Sequence, residues 1–234
     1  MATPPSTGRT TPLDEARQAR RARVRGVYLL VGPEEATGKD PLQVARAALE
    51  GGVRMVQLRD KRERGLVLPL ARALRSLCAE FGALFIVNDH VDVAVLSDAD
   101  GVHLGQKDLP PQEARRLLPP DRIIGVSTAL LDEALRAVEA GADYVAVGAI
   151  FPSPSKEDTR PAGLATLRQV RASINLPLVA IGGINEENIQ DVREAGADAV
   201  AVISAIVGAE DVRAAAHRLV TLFQRPTITA GPAS

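Results

Sequence analysis

Short apolar runs that each stop at a knot of polar residues recur along this chain, and they restrict its fold more than any other feature. Met55-Val56 leads into Gln57-Leu58-Arg59-Asp60-Lys61, and Leu84-Phe85-Ile86-Val87 into Asn88-Asp89-His90. Gly101-Val102-His103-Leu104 leads into Gly105-Gln106-Lys107-Asp108, and Tyr144-Val145-Ala146-Val147 toward Phe151-Pro152-Ser153-Pro154-Ser155-Lys156. Leu178-Val179-Ala180 ends at Ile181-Gly182-Gly183-Ile184-Asn185. Runs of this length suit strands buried on both faces. Helix-length segments separate them, which is the βαβ rhythm of a parallel sheet.

Strands are expected at residues 27–31, 53–58, 84–87, 101–104, 123–126, 144–147, 178–181 and 199–203. Helices are expected at 41–50, 66–80, 91–96, 110–117, 131–140, 164–173, 186–195 and 210–222. Pro41 and Pro110 suit first helical turns, and Asp40 and Asn185 suit N-caps. An internal echo supports the register. Gly141-Ala142-Asp143-Tyr144-Val145-Ala146-Val147 returns as Gly196-Ala197-Asp198-Ala199-Val200-Ala201-Val202, each after a helix ending in Glu-Ala. Glycine fits the left-handed exit of such a helix. Eight alternations within 234 residues indicate an α/β fold, a (β/α)8 TIM barrel. A flavodoxin-like open sheet is the alternative, but it needs fewer strands.

Composition removes several functional classes. A formal net charge of −1 offers no global field for nucleic acid or anionic membrane. Without Trp, and with 3% aromatic residues, there is little surface on which bases could stack. The single Cys78 excludes an internal disulfide framework and reads as helix packing. No apolar run reaches the roughly 18 residues that span a bilayer. The N-terminal residues lack the apolar core of a signal peptide, so a cytoplasmic location is expected. Residues 1–25 read as a disordered basic extension, with an anion-binding arm as the sharper alternative. Residues 26–225 read as one barrel domain and 226–234 as a loose tail.

Ligands in parallel α/β folds gather at the carboxyl ends of the strands, where the polar knots lie. Asp89 and Asp108 end neighbouring strands and suit Mg2+, which is usually held by one or two carboxylates plus substrate phosphates. Capping of the helices starting near residues 91 and 110 is the plainer account of each. Arg59, Lys61 and Lys156 follow strands at the same predicted rim. Surface solvation is their ordinary fate, yet a diphosphate with a divalent cation would explain them together. Gly182-Gly183 and Ile203-Ser204 follow the seventh and eighth strands, where barrels often build a phosphate site from backbone N–H groups. His103, inside a strand, suits a hydrogen-bonded core role better than catalysis. His217 suits surface or packing. No Ser-His-Asp or Cys/His spacing supports acyl transfer or zinc.

Taken in order, these knots resemble the thiamine-phosphate synthase family, also called thiamine-phosphate pyrophosphorylase. The resemblance rests on Gln57-Leu58-Arg59-Asp60-Lys61, Asn88-Asp89, the stretch from Asp100 to Asp108, Gly125-Val126-Ser127, Phe151 to Lys156, Ile181 to Ile184, and Val202-Ile203-Ser204. It implies joining of an aminopyrimidine methyl diphosphate to a thiazole phosphate, plain or carboxylated, to give thiamine phosphate and diphosphate. It implies Asp89 and Asp108 as Mg2+ ligands. It implies Gln57, Arg59, Lys61, Asn88, Ser127 and Lys156 as the pyrimidine diphosphate site, with Arg59, Ser127 and Lys156 acting on the chemistry. Ser153, Ser155, Gly183, Ile203 and Ser204 would hold the thiazole phosphate. The implied mechanism is dissociative, with diphosphate leaving before the thiazole nitrogen attacks. The partners are then small molecules, with neither nucleic acid nor membrane, and a homo-oligomer is compatible. The chain departs from the family pattern at Ser153 and Ser155 (commonly Thr), His90 (commonly Arg), Ala149 (commonly Pro) and Ala129 (often His). A related thiazole tautomerase uses a His from that last segment as its acid–base group, and Ala129 cannot transfer a proton. A non-catalytic barrel that binds thiamine intermediates is the other alternative, and retention of Asp89, Asp108 and Lys156 opposes it.

The segment 151–162 is long for a barrel connection and carries three prolines and several charges, as a lid over the site would. Lys156→Ala should slow turnover by removing positive charge from the leaving group. Lys156→Arg should recover only part of the rate, because a planar fork does not replace a compact ammonium. Normal turnover by Lys156→Ala in a steady-state assay would rule out that role.

Overall fold

The apolar runs pair side by side in chain order, and the last returns to the first. The computed structural model describes residues 11–152 and 161–225. Its strands are β1 (Gly26–Val31), β2 (Met55–Leu58), β3 (Leu84–Asn88), β4 (Gly101–Leu104), β5 (Ile123–Thr128), β6 (Tyr144–Val147), β7 (Leu178–Ile181) and β8 (Ala199–Val202). All pair in parallel, and β8 closes on β1 with Gly26 opposite Ala199 and Tyr28 opposite Ala201. The helices are α1 (Pro12–Ala22), α2 (Pro41–Glu50), α3 (Arg64–Glu80), α4 (Val91–Leu96), α5 (Pro111–Leu117), α6 (Leu131–Glu139), α7 (Gly163–Ser173), α8 (Ile189–Glu194), α9 (Ser204–Val207) and α10 (Val212–Gln224). This is the expected (β/α)8 barrel. Among the described residues, no helix is long and apolar enough to cross a membrane.

Local chemistry sets the boundaries. Asp40 caps α2, its side chain accepting from the Leu42 N–H, and Pro41 fills the first turn. Strand β2 begins at Met55 rather than 53 because the Val53 N–H is used in closing α2, bonding to the Ala48 carbonyl at 3.1 Å. Asn185 caps a turn, accepting from the Glu187 N–H, and α8 starts only at Ile189. Strand β8 stops at Val202, where Ile203 turns the chain into α9.

Successive strand residues face opposite sides, so the chain builds two cores. The outer one packs helices on the sheet and includes Val56, Leu74, Phe85 and Val145. Cys78 belongs to it, and burial pushes its thiol up to about 12. The inner one fills the barrel with Tyr28, Leu30, Met55, Leu84, Ile86, Ile123, Tyr144 and Val179. Small residues make room for the two rings. A Cβ on Gly125 would run into the Tyr144 phenol, and Tyr28 lies beside Ala201.

The repeated Ala-Asp has one job wherever it occurs. Asp100, Asp143 and Asp198 stand just before β4, β6 and β8. Their carboxylates accept from the N–H groups of Phe85 (2.9 Å), Ile124 (2.8 Å) and Leu178 (2.8 Å) on the preceding strand. Each also meets a guanidinium, from Arg20, Arg115 and Arg171 respectively. Charge-assisted bonds to a strand's first amides fix its height in the ring.

The expected disorder of residues 1–25 is corrected for its described part. Residues Pro12–Ala22 form α1, started by a capping box between Thr11 and Asp14 with Pro12 in the first turn. Two of its three arginines, Arg17 and Arg20, reach acidic residues of the barrel. Arg20 binds Asp100 at 3.1 Å and Asp121 at 2.8 Å, and Arg17 lies 3.6 Å from Asp143. Val24, 2% exposed, then joins the interior cluster at the barrel's base. Arg20→Ala should therefore destabilise the protein by about 1.5–3 kcal/mol, the range for hydrogen bonds to charged groups. Urea unfolding checks it, and an unchanged midpoint would mean that α1 rests on the barrel without supporting it.

Candidate active site

Alternation carries the inner face upward to the carboxyl rim. Gln57 follows Met55 by two residues, Asn88 follows Ile86, Ser127 follows Gly125, and Gly183 follows Ile181. Ile203, two beyond Ala201, packs on the same cluster. Gln57, Asn88, Ser127, Gly183 and Ile203, all named from sequence as site residues, thus come to one mouth, with Arg59 just above Gln57.

Beneath that mouth runs an unbroken hydrogen-bonded chain. Gln57 Nε2 donates to Tyr28 Oη at 2.6 Å, and Tyr28 Oη lies 3.2 Å from Tyr144 Oη. Tyr144 Oη lies 3.0 Å from His103 Nδ1, and His103 Nε2 lies 2.8 Å from Ser127 Oγ. The imidazole also stacks on Tyr144, with centroids 5.5 Å apart. Burial pushes the Tyr144 phenol well above its ordinary range, and the neighbouring Tyr28 adds to the rise. Burial also raises Tyr28, and its bonds with Tyr144 and Gln57 offset only part of that. Both phenols therefore keep their protons. His103 has the hydrogen-bonded interior role expected of it, and it reaches a rim hydroxyl. Sequence reading missed this chain, because Tyr28 and Tyr144 look like ordinary strand apolars until the ring closes.

Arg59 holds a second surprise. Its guanidinium pairs with Glu35, a buried carboxylate in the loop after β1. Glu35 Oε2 has no hydrogen-bond partner among the described residues. Gly32 permits this, since a Cβ there would strike the Arg59 carbonyl. An acid following a strand end opposite a rim arginine was the available sequence signal. Lys61 is exposed at the outer edge. Beside it, burial works to raise the Asp60 carboxyl, but bonds from Arg62 overcome that and hold it below the ordinary range.

The acidic pair sits across β3 and β4. Asp89 has a left-handed backbone, φ +62°, and its N–H bonds to the His103 carbonyl at 2.8 Å. That conformation is unfavourable for a residue with a Cβ and is commonly retained at functional sites. Helix α4 takes His90 as its N-cap, without a side-chain bond, and α5 takes Pro110. By position, neither aspartate is the N-cap residue of the helix that follows it. Asp108 instead accepts the Gly105 N–H on Oδ2 at 2.7 Å. Gln106 Nε2 donates to the Ser127 carbonyl at 2.7 Å, tying this loop to β5. Ala129 presents only its N–H, bonded to Glu133 at 2.7 Å.

At the other side of the mouth, Gly182 and Gly183 both have positive φ, +105° and +65°. Their loop lies against the chain leaving β6, where a Cβ on Gly183 would sit 2.7 Å from the Pro152 carbonyl. Ser204 begins α9 and is exposed. Lys39 Nζ ties the loop after β1 to this region through the Val207 and Ala209 carbonyls. Ser153, Ser155 and Lys156 lie outside the described residues.

Residues 27–206 match the family model described as thiamine monophosphate synthase. A thiamine-phosphate synthase of Shouchella clausii is 50% identical over 200 residues, covering 85% of this chain and 96% of that protein. Another, from Methanoculleus marisnigri, is 50% identical over 195 residues, covering 82% and 92%. The solved thiamine phosphate pyrophosphorylase of Pyrococcus furiosus superposes with a TM-score of 0.80 at 41% identity, over 86% of this chain and 96% of that one.

Glu35 places a negative charge beside a cation that an anionic ligand would seek. Glu35→Gln should tighten binding of inorganic diphosphate about 3- to 10-fold, the scale of one screened charge. Calorimetric titration reads this directly. Weaker binding would show that orienting Arg59 is the larger contribution of Glu35.

Proposed function

The chain belongs to the thiamine monophosphate synthase family, and from that membership we propose how its mouth joins an aminopyrimidine methyl diphosphate to a thiazole phosphate. The enzyme is a transferase of the pyrimidine-methyl group, and its substrates are small molecules. Residues 26–225 form its catalytic barrel in this reading, and the reaction is cytoplasmic. The observation that carries the residue assignment is the arrangement of the rim. Acidic, basic and hydroxyl groups gather at the ends of β2 to β5, while glycine and serine loops end β7 and β8. Two phosphate-bearing substrates entering from opposite sides would meet over the inner floor.

The donor set fits Mg2+. Asp89 and Asp108 offer hard carboxylate oxygens, and the Gly105 bond engages only one oxygen of Asp108. Among the described residues there is no cluster of three or more His, Cys, Asp or Glu that could cage a metal. A cation held by two carboxylates would complete its shell with water and diphosphate oxygens. When bound, Mg2+ would neutralise charge gathering on the departing diphosphate.

The chain's own groups do the remaining work. Arg59, Lys61 and Lys156 attract the diphosphate and stabilise it as it leaves. Gln57 and Asn88 hold the pyrimidine ring and Ser127 the diphosphate end, so that the methylene carbon between them faces the thiazole side. Gly183, Ile203 and Ser204, with Ser153 and Ser155, hold the thiazole phosphate. The thiazole nitrogen attacks once diphosphate has begun to depart, so no strong base is needed. Holding both rings together makes the second step effectively unimolecular.

Diphosphate release and thiamine phosphate formation, measured with both substrates, test the assignment. Asp89→Ala and Asp108→Ala should each reduce turnover at limiting Mg2+ by at least about 100-fold, the scale for losing one electrostatic stabiliser of a transition state. Their circular dichroism should be unchanged. Full activity in either variant at limiting Mg2+ would refute the metal assignment.

A further inference from the structure

The chain beneath the mouth has a direction, and the direction is all or none. Gln57 Nε2 gives its proton to Tyr28 Oη. For every buried proton to find an acceptor, Tyr28 then gives its own to Tyr144, and Tyr144 gives to His103 Nδ1. A neutral His103 so bonded carries its proton on Nε2 and gives it to Ser127 Oγ. The Ser127 hydroxyl proton is left pointing out, as a donor. At the far end, Gln57 Oε1 is buried and has no partner among the described residues, so it stands ready as an acceptor. If the Gln57 amide turned over, every proton in the chain would reverse. Ser127 would then give to His103 and present only lone pairs to the mouth.

We infer that Tyr28, Tyr144 and His103 are positioning residues that couple the two ends of one substrate, making a donor at Ser127 conditional on an acceptor at Gln57. The inference rests on the reading of the mouth as a pyrimidine diphosphate site. A diphosphate carries acceptor oxygens and needs a donor from Ser127. The same polarity demands that the ring edge at Gln57 bring a donor, which an amino group supplies. An oxo group in its place would favour the flipped amide, reverse the chain, and set Ser127 lone pairs against the leaving anion. The chain would therefore reject the oxo ring partly through loss of leaving-group stabilisation, at a distance from the altered atom. Tyr28 and Tyr144 are fully buried and stand inside the chain, between Gln57 at one end and His103 and Ser127 at the other, so each acts through its neighbours.

The test uses the full chain. Histidine 15N resonances of the wild-type protein without substrate, taken well above the ordinary imidazole pKa of about 6.5, report the tautomer. His90→Asn and His217→Asn assign the three histidine signals. We expect His103 protonated on Nε2, and an Nδ1-protonated form would overturn the inference. Tyr144→Phe should mix the two tautomers. Tyr28→Phe should lower kcat with the amino substrate about 10- to 100-fold, the loss of roughly one to two hydrogen-bond equivalents, and leave the KM for thiazole phosphate unchanged. Most tellingly, preference for the amino over the oxo pyrimidine should shrink at least about tenfold in Tyr28→Phe, since the ends are uncoupled. Undiminished preference in folded Tyr28→Phe protein would also overturn the inference. The tautomer needs no variant and no turnover. Failure of wild-type protein to release diphosphate would instead count against the functional reading.

Discussion

A parallel barrel of four- to six-residue strands depends on register, because a slip of one residue turns every inward side chain outward. Here the register is held at the base. Asp100, Asp143 and Asp198 each grip an amide near the start of the preceding strand and are gripped in turn by an arginine. Everything at the mouth follows from that height. Raise β5 by one residue, and Val126 rather than Ser127 would face His103. The Tyr144 ring would also lose the gap that Gly125 leaves for it. The base of the barrel thus decides which chemistry appears at its top.

The strand and helix order was legible because apolar runs bounded by polar knots report burial directly. The residues at the knots were legible for the same reason, since they end the runs. What remained hidden depended on ring closure. Arg20 reads as a solvated basic residue, and its partners Asp100 and Asp121 lie 80 and 101 positions away. Tyr28 and Gln57 lie on neighbouring strands, but Tyr28 and Tyr144 meet across the ring over 116 positions. The Ala-Asp echo was visible as a pattern, while its purpose needed the neighbouring strand in place. Glu35 sat in plain view after β1, yet only the fold brings it against Arg59.

The mouth separates two ways of keeping polar groups out of water. Below the rim, amide, phenol, imidazole and hydroxyl groups bond one another in sequence, so most of these buried polar atoms keep a partner. Above it Glu35 and Arg59 form a charged pair at the edge of the proposed diphosphate site. Burying a pair costs solvation that its attraction only partly returns. A diphosphate bound there as proposed would compete with Glu35 for the same guanidinium, so part of its binding would be exchange of one anion for another.

The two tyrosines of the interior chain are the only tyrosines in the protein, and there is no tryptophan. Their hydroxyls lie 3.2 Å apart under the mouth, Tyr28 one bond from Gln57 at the rim and Tyr144 two bonds from Ser127, through His103. The near-ultraviolet absorption and intrinsic emission of the folded molecule therefore arise almost wholly from this one spot. Whatever changes the electric field there, whether a ligand's charge or a proton's position, changes the colour of the whole protein without any attached label.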